Sequence, residues 1–309
     1  MRKFCAALLA GLLCLGIAGC GSSGGQSSDK GMVYTYKNQK IEVKAAPERI
    51  VTLTTPLLNM AYAIGGSSIG RATTNNPIPK AAKALPEIGH VQNINMESLV
   101  GLRPDLVIGE TAQNKKLESL LQANHIPYVL ITYDGINDNV PLMEFMGQIY
   151  GIPDKAKAVI DDYNTRMKKV EDEAEAKPPI RIAILRATGK DVTAETPKSI
   201  CASMAALLKM DNVVTDHENL KLNTKTVSYS LEQLSADNPD VIFIVTMGKA
   251  EDINKKLDQE MRSNPAWAHL NAVRSRRVFF LPAHLFLLNP GIRTPEAMQQ
   301  LLDLAYKEA

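Results

Sequence analysis

One stretch of the chain occurs twice, and this repetition constrains the fold more than any other feature. The first copy spans residues 96–109 and the second spans residues 231–243. Each copy carries a glutamate, Glu97 or Glu232, followed seven and eight residues later by Pro-Asp and then by an unbroken apolar run. Because proline ends a helix and pushes the residue before it into an extended conformation, each copy predicts a short helix leading into a buried strand.

The distance between the copies predicts two similar lobes. Glu97 and Glu232 lie 135 residues apart (232 minus 97), which is too far for a solenoid repeat and suits one domain length. A chain of 309 residues is also expected to form about two domains. The net charge of +2 is too small to indicate nucleic acid as a partner, and aromatic residues at 5% are too sparse for a surface that stacks bases or sugars.

The N-terminus predicts export and a lipid anchor. Arg2 and Lys3 precede an apolar run, residues 4–17, that is too short to span a bilayer and is typical of a secretory signal. The small residues before Cys20 resemble the bacterial lipobox, which implies a lipoprotein signal peptide over residues 1–20 and a lipidated Cys20. Residues 21–32, rich in Ser and Gly, would form a flexible tether. The resemblance implies anchoring to the cell envelope membrane, at the outer face of the cytoplasmic membrane or in the periplasm. An ordinary signal with an incidental cysteine is the alternative.

Cysteine usage excludes an internal disulfide in the body of the chain. Cys5 and Cys14 lie in the signal segment, so Cys201 is the one thiol left after Cys20. Its apolar helical surroundings predict a core residue rather than a reactive one.

Residues 33–150 alternate strand and helix patterns, which predicts a mostly parallel sheet with helices on both faces. In such sheets a small ligand binds beyond the carboxyl ends of the strands. The residues that follow predicted strands of the first lobe and are therefore expected at one crevice are Thr54, Thr73, His90, Thr111 and Tyr133.

Residues 151–178 predict one long helix between the lobes. The stripe that includes Ala156, Ile160, Tyr163 and Val170 has helical spacing, and Pro178-Pro179 ends it. A helix of about 24 residues reaches ~36 Å, enough to cross from one lobe to the other. A fresh strand at residue 180 opens the second lobe, residues 179–309, whereas a surface helix of a single large domain is the alternative.

Taken together in this order, several motifs resemble one family. They are the lipobox, the segment Glu48 to Leu53, the two Glu and Pro-Asp stretches, the single connecting helix, residues 267–273 with Arg277-Val278, and a late Asn-Pro-Gly-x-Arg motif. They are similar to the substrate-binding proteins of ABC importers for iron complexes and vitamin B12, over residues 47–308. The resemblance implies an α/β fold of two Rossmann-like lobes joined by one long α-helix, with the ligand cleft between them.

The resemblance also implies roles for the repeated acids. In this family a glutamate on each lobe docks against arginines of the membrane permease, and these acids match Glu97 and Glu232. Charge-assisted contacts with arginine are strong and directional. The alternative for each is a helix-terminus charge favoured by the dipole. The expected partners are therefore a permease dimer with its ATPase and a small-molecule ligand, for a monomer that does not bind nucleic acid. A single rigid helix further predicts a largely preformed cleft.

The ligand suggested by these residues is an iron chelate or tetrapyrrole, with haem slightly ahead of a ferric siderophore and cobalamin as the alternative. The apolar run at residues 285–288 favours a large, flat ligand. If the ligand is haem, the resemblance implies metal ligation by Met247, Tyr133 or His90, with His284 a further loop candidate; Lys190 and Arg293 suit a charged siderophore. The full set expected at the ligand is Thr54, Thr55, Thr73, His90, Gln92, Thr111, Tyr133, Thr188, Lys190, Met247, His284, Phe286 and Arg293.

Other functional classes fit the sequence less well. A bare metal ion needs three or four converging ligands, whereas the five histidines are scattered. No cofactor of the protein's own is predicted. A lipoprotein enzyme is disfavoured because the G-x-S-x-G, P-loop and H-E-x-x-H motifs are absent from the sequence. An adhesin would not require a cleft.

Overall fold

The computed structural model describes residues 32–37, 39–43, 46–133 and 135–307. The predicted signal segment, Cys20 and the tether up to residue 31 lie outside the described residues. Along the part of the chain that is described, no helix combines the length and the apolar character needed to cross a bilayer.

The described residues of the first lobe form eight strands and five α-helices. In chain order they are β1 (Met32–Tyr36), β2 (Gln39–Val43), β3 (Ile50–Thr52), α1 (Thr55–Ala63), β4 (Arg71–Thr73), β5 (Glu87–His90), β6 (Asn93–Ile94), α2 (Met96–Gly101), β7 (Leu106–Glu110), α3 (Thr111–Asn114), α4 (Glu118–Ala123), β8 (Tyr128–Ile131) and α5 (Asn139–Ile149). Strands β6-β5-β4-β3-β7-β8 form one sheet that is parallel except at β6, and β1 and β2 form an antiparallel hairpin.

The long helix α6 (Pro153–Glu175) follows, and it is shorter at both ends than predicted. Its apolar stripe serves two cores. Ala156, Ile160 and Tyr163 pack in the first lobe with α5, whereas Val170 and Ala174 pack in the core of the second lobe. Within the described residues the chain passes from the first sheet to the second once, through this helix.

The second lobe repeats the α/β plan. Its elements are β9 (Arg181–Ala187), β10 (Val192–Glu195), α7 (Ile200–Leu207), β11 (Asp211–Asn212), β12 (Thr226–Val227), α8 (Leu231–Asp237), β13 (Val241–Thr246), α9 (Ala250–Ser263), α10 (Pro265–Ala268), α11 (Asn271–Arg274), β14 (Val278–Leu281), α12 (Ala283–Phe286) and α13 (Thr294–Ala305). The sheet order is β12-β10-β9-β13-β14, with β9, β13 and β14 parallel. Helix α13 lies against α6, and Cys201 is buried as predicted.

Both copies of the repeated stretch fold as the sequence predicts. Asn95 caps α2 by accepting a hydrogen bond from the amide of Ser98, and Ser230 caps α8 in the same way. Each helix is followed by a residue with a left-handed backbone, Arg103 or Asn238, directly before the proline. The chain then turns into β7 or β13, which are buried strands of the two sheets.

Two local predictions are wrong. The residues from Asn114 to Ala123 predict one helix, but the structure breaks it into α3, a 3₁₀ turn at Lys115–Leu117 and α4, because Asn114 bonds to the backbone of Glu110 and Val91 rather than continuing a helix. The sequence predicts a loop at 282–293, which contains helix α12 and a 3₁₀ turn in the structure. Helices α5 and α9 were not predicted.

Candidate ligand-binding cleft

The carboxyl ends of strands from the first sheet face the second lobe across a cavity of about 260 Å³. Residues from both lobes line it. They are Thr54, Thr55, Pro56, Ala72, Thr73, Thr74, Asn76, Val91, Glu110, Ala112, Gln113 and Tyr133 from the first lobe, and Ile200, Lys225, Leu287, Leu288 and Asn289 from the second. The cleft therefore lies where the strand topology predicts a ligand to bind.

Hydroxyl groups dominate the wall contributed by the first lobe. Thr54 lies two residues beyond the end of β3 and caps α1, and its hydroxyl donates a hydrogen bond of 2.8 Å to Glu110 Oε1. Thr73 is the last residue of β4, and its hydroxyl likewise donates to a glutamate, Glu87, at 2.6 Å. This wall offers hydrogen bonds to a ligand without bringing many charges to it.

Glu110 reaches the cleft because the chain turns tightly at the end of β7. A Cβ on Gly109 would lie 2.9 Å from the amide oxygen of Asn114 and 3.0 Å from side-chain carbons of Leu53 and Leu130, so a larger residue would displace these side chains. Asn114 accepts a hydrogen bond from the Glu110 amide and donates one to the carbonyl of Val91, each at 3.0 Å. Burial raises the pKa of the Glu110 carboxyl, and the hydrogen bond from Thr54 and the charge of Lys225 oppose that shift.

Tyr133 closes the cleft on its inner side and joins the two lobes. Its hydroxyl donates to Asn139 Oδ1 at 3.1 Å, and burial keeps its pKa well above the usual range. The buried Asn139 amide donates in turn to Tyr163 of α6 at 3.2 Å and to Thr294 of the second lobe at 2.9 Å. A hydrogen-bonded chain therefore runs from the cleft through Asn139 to α6 and α13. The Tyr133 phenol stays protonated within this chain.

The wall from the second lobe is mainly aliphatic, with one cation. Leu287 and Leu288 face the cleft, whereas Phe286 is fully buried in the core of this lobe, because α12 turns its ring inward. The exposed Lys225 extends from a segment whose backbone is fixed by a hydrogen bond of 3.1 Å from the Thr196 amide to the Lys225 carbonyl. Lys225 is the one basic residue among the described residues that line the cleft.

His284 and Arg293 lie at the edge of the cleft. His284 lines a small adjoining pocket together with Thr55, Leu288 and Asn289, and these three residues also line the cleft. Burial and the nearby guanidinium of Arg293 lower the pKa of His284, so its imidazole is neutral at physiological pH. Arg293 forms a two-pronged ion pair with Glu296, at 2.6 and 2.8 Å.

Other residues proposed from the sequence do not line this cavity. His90, Gln92 and Met247 are exposed, and Thr111 donates to the carbonyl of Leu130. Thr188 and Lys190 line a separate pocket of about 400 Å³ within the second lobe. Glu110 and Lys225 line the cleft but were not predicted from the sequence. Glu110 could have been found because it occupies the last position of a predicted strand, next to the chosen Thr111, but residues around Lys225 show no periodicity that would indicate their place.

Glu97 and Glu232 occupy matching positions in the first turns of α2 and α8, and both side chains are exposed. In the described ranges there is no group of three or more histidine, cysteine, aspartate or glutamate side chains that could hold a metal ion. Trp267 is buried in the second lobe and does not line the cleft.

The periplasmic binding protein family model matches residues 50–285 of the chain, a span that includes both sheets and the helix between them. The chain belongs to this family. The resemblance inferred from the sequence is thereby confirmed, and so is the prediction that the chain is a binding protein rather than an enzyme.

Several known proteins are similar to this chain. The "High-affinity heme uptake system protein IsdE" of Staphylococcus aureus (strain MRSA252) is 24% identical over 266 residues, which are 86% of this chain and 89% of that protein. The structure of S. aureus IsdE complexed with heme matches with a TM-score of 0.73 at 24% identity, covering 84% and 99% of the two chains. That of S. aureus SirA complexed with staphyloferrin B matches with a TM-score of 0.72 at 19% identity, covering 88% and 98%. These structures confirm the fold.

Proposed function

We propose that this chain captures an iron complex outside the cytoplasm and delivers it to the permease of an ABC importer, with haem favoured over a ferric siderophore. The observation that carries the proposal is the interlobe cleft, whose second-lobe wall presents Leu287 and Leu288 and whose edge holds the neutral imidazole of His284. An aliphatic wall suits a flat tetrapyrrole, and a neutral imidazole is a ligand for haem iron.

The charges of the cleft favour haem over a polyanionic siderophore. Lys225 is the single basic residue on the walls formed by described residues, and the guanidinium of Arg293 is already paired with Glu296. A chelate that carries several carboxylates would need more cations than these. The names of the relatives include both kinds of ligand, since IsdE is a heme uptake protein and SirA is complexed with staphyloferrin B.

Spectroscopy of the purified body, without residues 1–20, tests this proposal. Titration with haemin is expected to give a shifted Soret band, and His284→Ala is expected to move that band or weaken binding by about tenfold or more. His269→Ala is the matched control, because His269 is an exposed histidine of the same lobe. Ferric siderophores and cobalamin form the other arms of the titration. If none of the three changes the spectrum or the melting temperature, the proposal is wrong.

We also propose that the protein is held at the envelope membrane through a lipidated Cys20. The small residues that precede Cys20 and the Ser/Gly-rich segment after it support this anchor. In cells grown with a labelled fatty acid, the wild-type chain is expected to carry label and to sediment with membranes. Cys20→Ala is expected to lose both properties, and label that persists in this variant would contradict the anchor.

A further inference from the structure

The cleft contains a carboxyl group with spare hydrogen-bonding capacity. Glu110 Oε1 accepts the hydrogen bond from Thr54, whereas Oε2 accepts none from any residue that the structure describes. The residue lines the cavity and is fixed at its backbone by Asn114. Thr54 is itself 3% exposed and is held as the cap of α1. One oxygen of a positioned acid is therefore left for a ligand.

We propose that Glu110 determines the charge selectivity of the cleft: it accepts a hydrogen bond from an ammonium, amide or hydroxyl group of the ligand and disfavours a ligand carboxylate at that position. This inference rests on the proposed function, because it assumes that an iron chelate occupies the cleft. Thr54 is a positioning residue in this scheme, since it orients the carboxyl group through Oε1.

The opposite wall carries the complementary charge. Lys225 belongs to the second lobe, lines the same cavity, and interacts electrostatically with Glu110. A chelate between these residues is expected to turn an anionic edge toward Lys225 and a donor or uncharged edge toward Glu110. Charges within a partly desolvated cleft interact more strongly than they do in water, so the wrong orientation is disfavoured. A haem would direct its propionates toward Lys225.

Charge selectivity can be measured with two matched probes and haemin. The probes are ferrioxamine B, a ferric trihydroxamate with a pendant ammonium group, and its N-acetylated form, which lacks that charge. Wild type, Glu110→Gln, Glu110→Asp and Lys225→Gln are compared, with Glu144→Gln as the control because Glu144 is an exposed acid of the same lobe. The melting temperature of each variant shows that it is folded.

The wild type is expected to prefer the ammonium probe over the acetylated probe by about tenfold, and Glu110→Gln is expected to abolish that preference. Glu110→Gln should bind haemin more tightly, whereas Lys225→Gln should bind it less tightly. Glu110→Asp, which keeps the charge, should retain a preference for the ammonium probe.

Two failures are distinguishable. If the wild type binds haemin or either probe but Glu110→Gln changes none of these affinities, the role of Glu110 is refuted and the proposed function stands. If the wild type binds none of them, the proposed function fails, and the inference about Glu110 fails with it.

Discussion

The two lobes fasten their repeated stretches by the same device but at different strength. In the first lobe the carboxylate of Asp105 accepts hydrogen bonds from the amides of Glu48, at 2.8 Å, and Arg49, at 2.9 Å. In the second lobe Asp240 accepts one, from the amide of Arg181 at 3.0 Å. Arg49 directly precedes the strand β3, and Arg181 is the first residue of the strand β9. The aspartate of each Pro-Asp pair therefore ties its helix and strand to the neighbouring central strand.

The arginines complete the same device in each lobe. Arg49 Nη2 donates to the carbonyl of Leu102 at 2.7 Å, and Arg181 Nη1 donates to that of Asp237 at 3.1 Å, so each guanidinium satisfies a free carbonyl at the end of α2 or α8. In both lobes the Pro-Asp pair and its arginine therefore have a structural role. The exposed glutamate seven residues before each proline has no such structural contact in the described chain.

The lobes differ in the partner that each gives to an acid whose pKa is raised by burial. Glu110 of the first lobe lines the cleft and has the Thr54 hydroxyl as its partner. Glu195 of the second lobe is fully buried and accepts two hydrogen bonds from the guanidinium of Arg186, at 2.7 and 2.9 Å. The second acid is therefore ion-paired inside the protein, whereas the first faces the cavity in which a ligand would bind.

Removing the partner of Glu195 is expected to have the largest effect on the stability of the protein. Arg186→Met leaves the Glu195 carboxylate buried without a cation, which is expected to lower the free energy of unfolding by about 3–5 kcal/mol. Urea denaturation measures the loss. The double variant Arg186→Met/Glu195→Leu, which removes both charges, should recover most of it. A loss below about 1 kcal/mol in the single variant would mean that Glu195 is not held as an ion pair.

The second-largest effect is expected where Asn139 joins the two lobes. Asn139→Ala removes the amide that joins Tyr133, Tyr163 and Thr294, and is expected to cost about 2–3 kcal/mol because buried partners lose their hydrogen bonds. Small-angle scattering should also show a broader range of lobe separations. Asn164→Ala is the control, since Asn164 is exposed on α6. Unchanged stability and scattering would show that α6 and α13 fix the lobes without Asn139.

How much of this could be predicted from the sequence depends on whether local pattern or distant contacts determine the structure. The repeated stretch and the stripe of α6 are local, and the corresponding strands and helices form as predicted. Periodicity could not reveal Phe286, because a run of four apolar residues does not indicate which of them face the core; the turn of α12 decides it.

The cleft shows the same limit. Strand ends correctly indicated Thr54, Thr73 and Tyr133 as neighbours of one cavity. At the end of β7 the sequence indicated Thr111, whereas Glu110 lines the cavity and has its backbone fixed by the side chain of Asn114. Lys225 depends on pairing between β10 and β12, a contact between residues about 30 positions apart that no local pattern encodes.

Replacing Asp105 and Asp240 by alanine tests whether the number of amide contacts determines how much each aspartate stabilises its lobe. Asp105→Ala is expected to cost about 2 kcal/mol and Asp240→Ala about 1 kcal/mol, because the first carboxylate serves two backbone amides and the second serves one. Urea denaturation of both variants gives the order. Equal losses, or the reverse order, would show that the number of amide contacts does not set the strength of this device.

Replacing the repeated glutamates tests whether the lobes act as equal partners in docking. Glu97→Ala and Glu232→Ala should each reduce iron-chelate uptake by about tenfold in cells that depend on this chain, and the double variant should reduce it further, without loss of ligand binding in vitro. Glu251→Ala is the matched control, an exposed glutamate in the first turn of α9. Full uptake by the double variant would leave these acids as helix-terminus charges.

The smallest expected effect is the pH dependence that Glu110 contributes to stability. Burial raises its pKa, so the native state binds this proton more readily than the unfolded chain does. Its stabilising contribution is therefore complete below the unfolded pKa of the carboxyl group and is lost as the pH rises through the folded pKa. Relative to Glu110→Gln, the wild type should lose stability across that window, which urea denaturation at intervals from about pH 4 to about pH 8 would reveal. Glu195→Gln should behave differently, because it leaves the partly buried Arg186 without its partner and should lower stability at every pH in the series. Parallel curves for wild type and Glu110→Gln would mean that burial of the Glu110 carboxyl group carries no cost to stability, and the contrast with Glu195 would disappear.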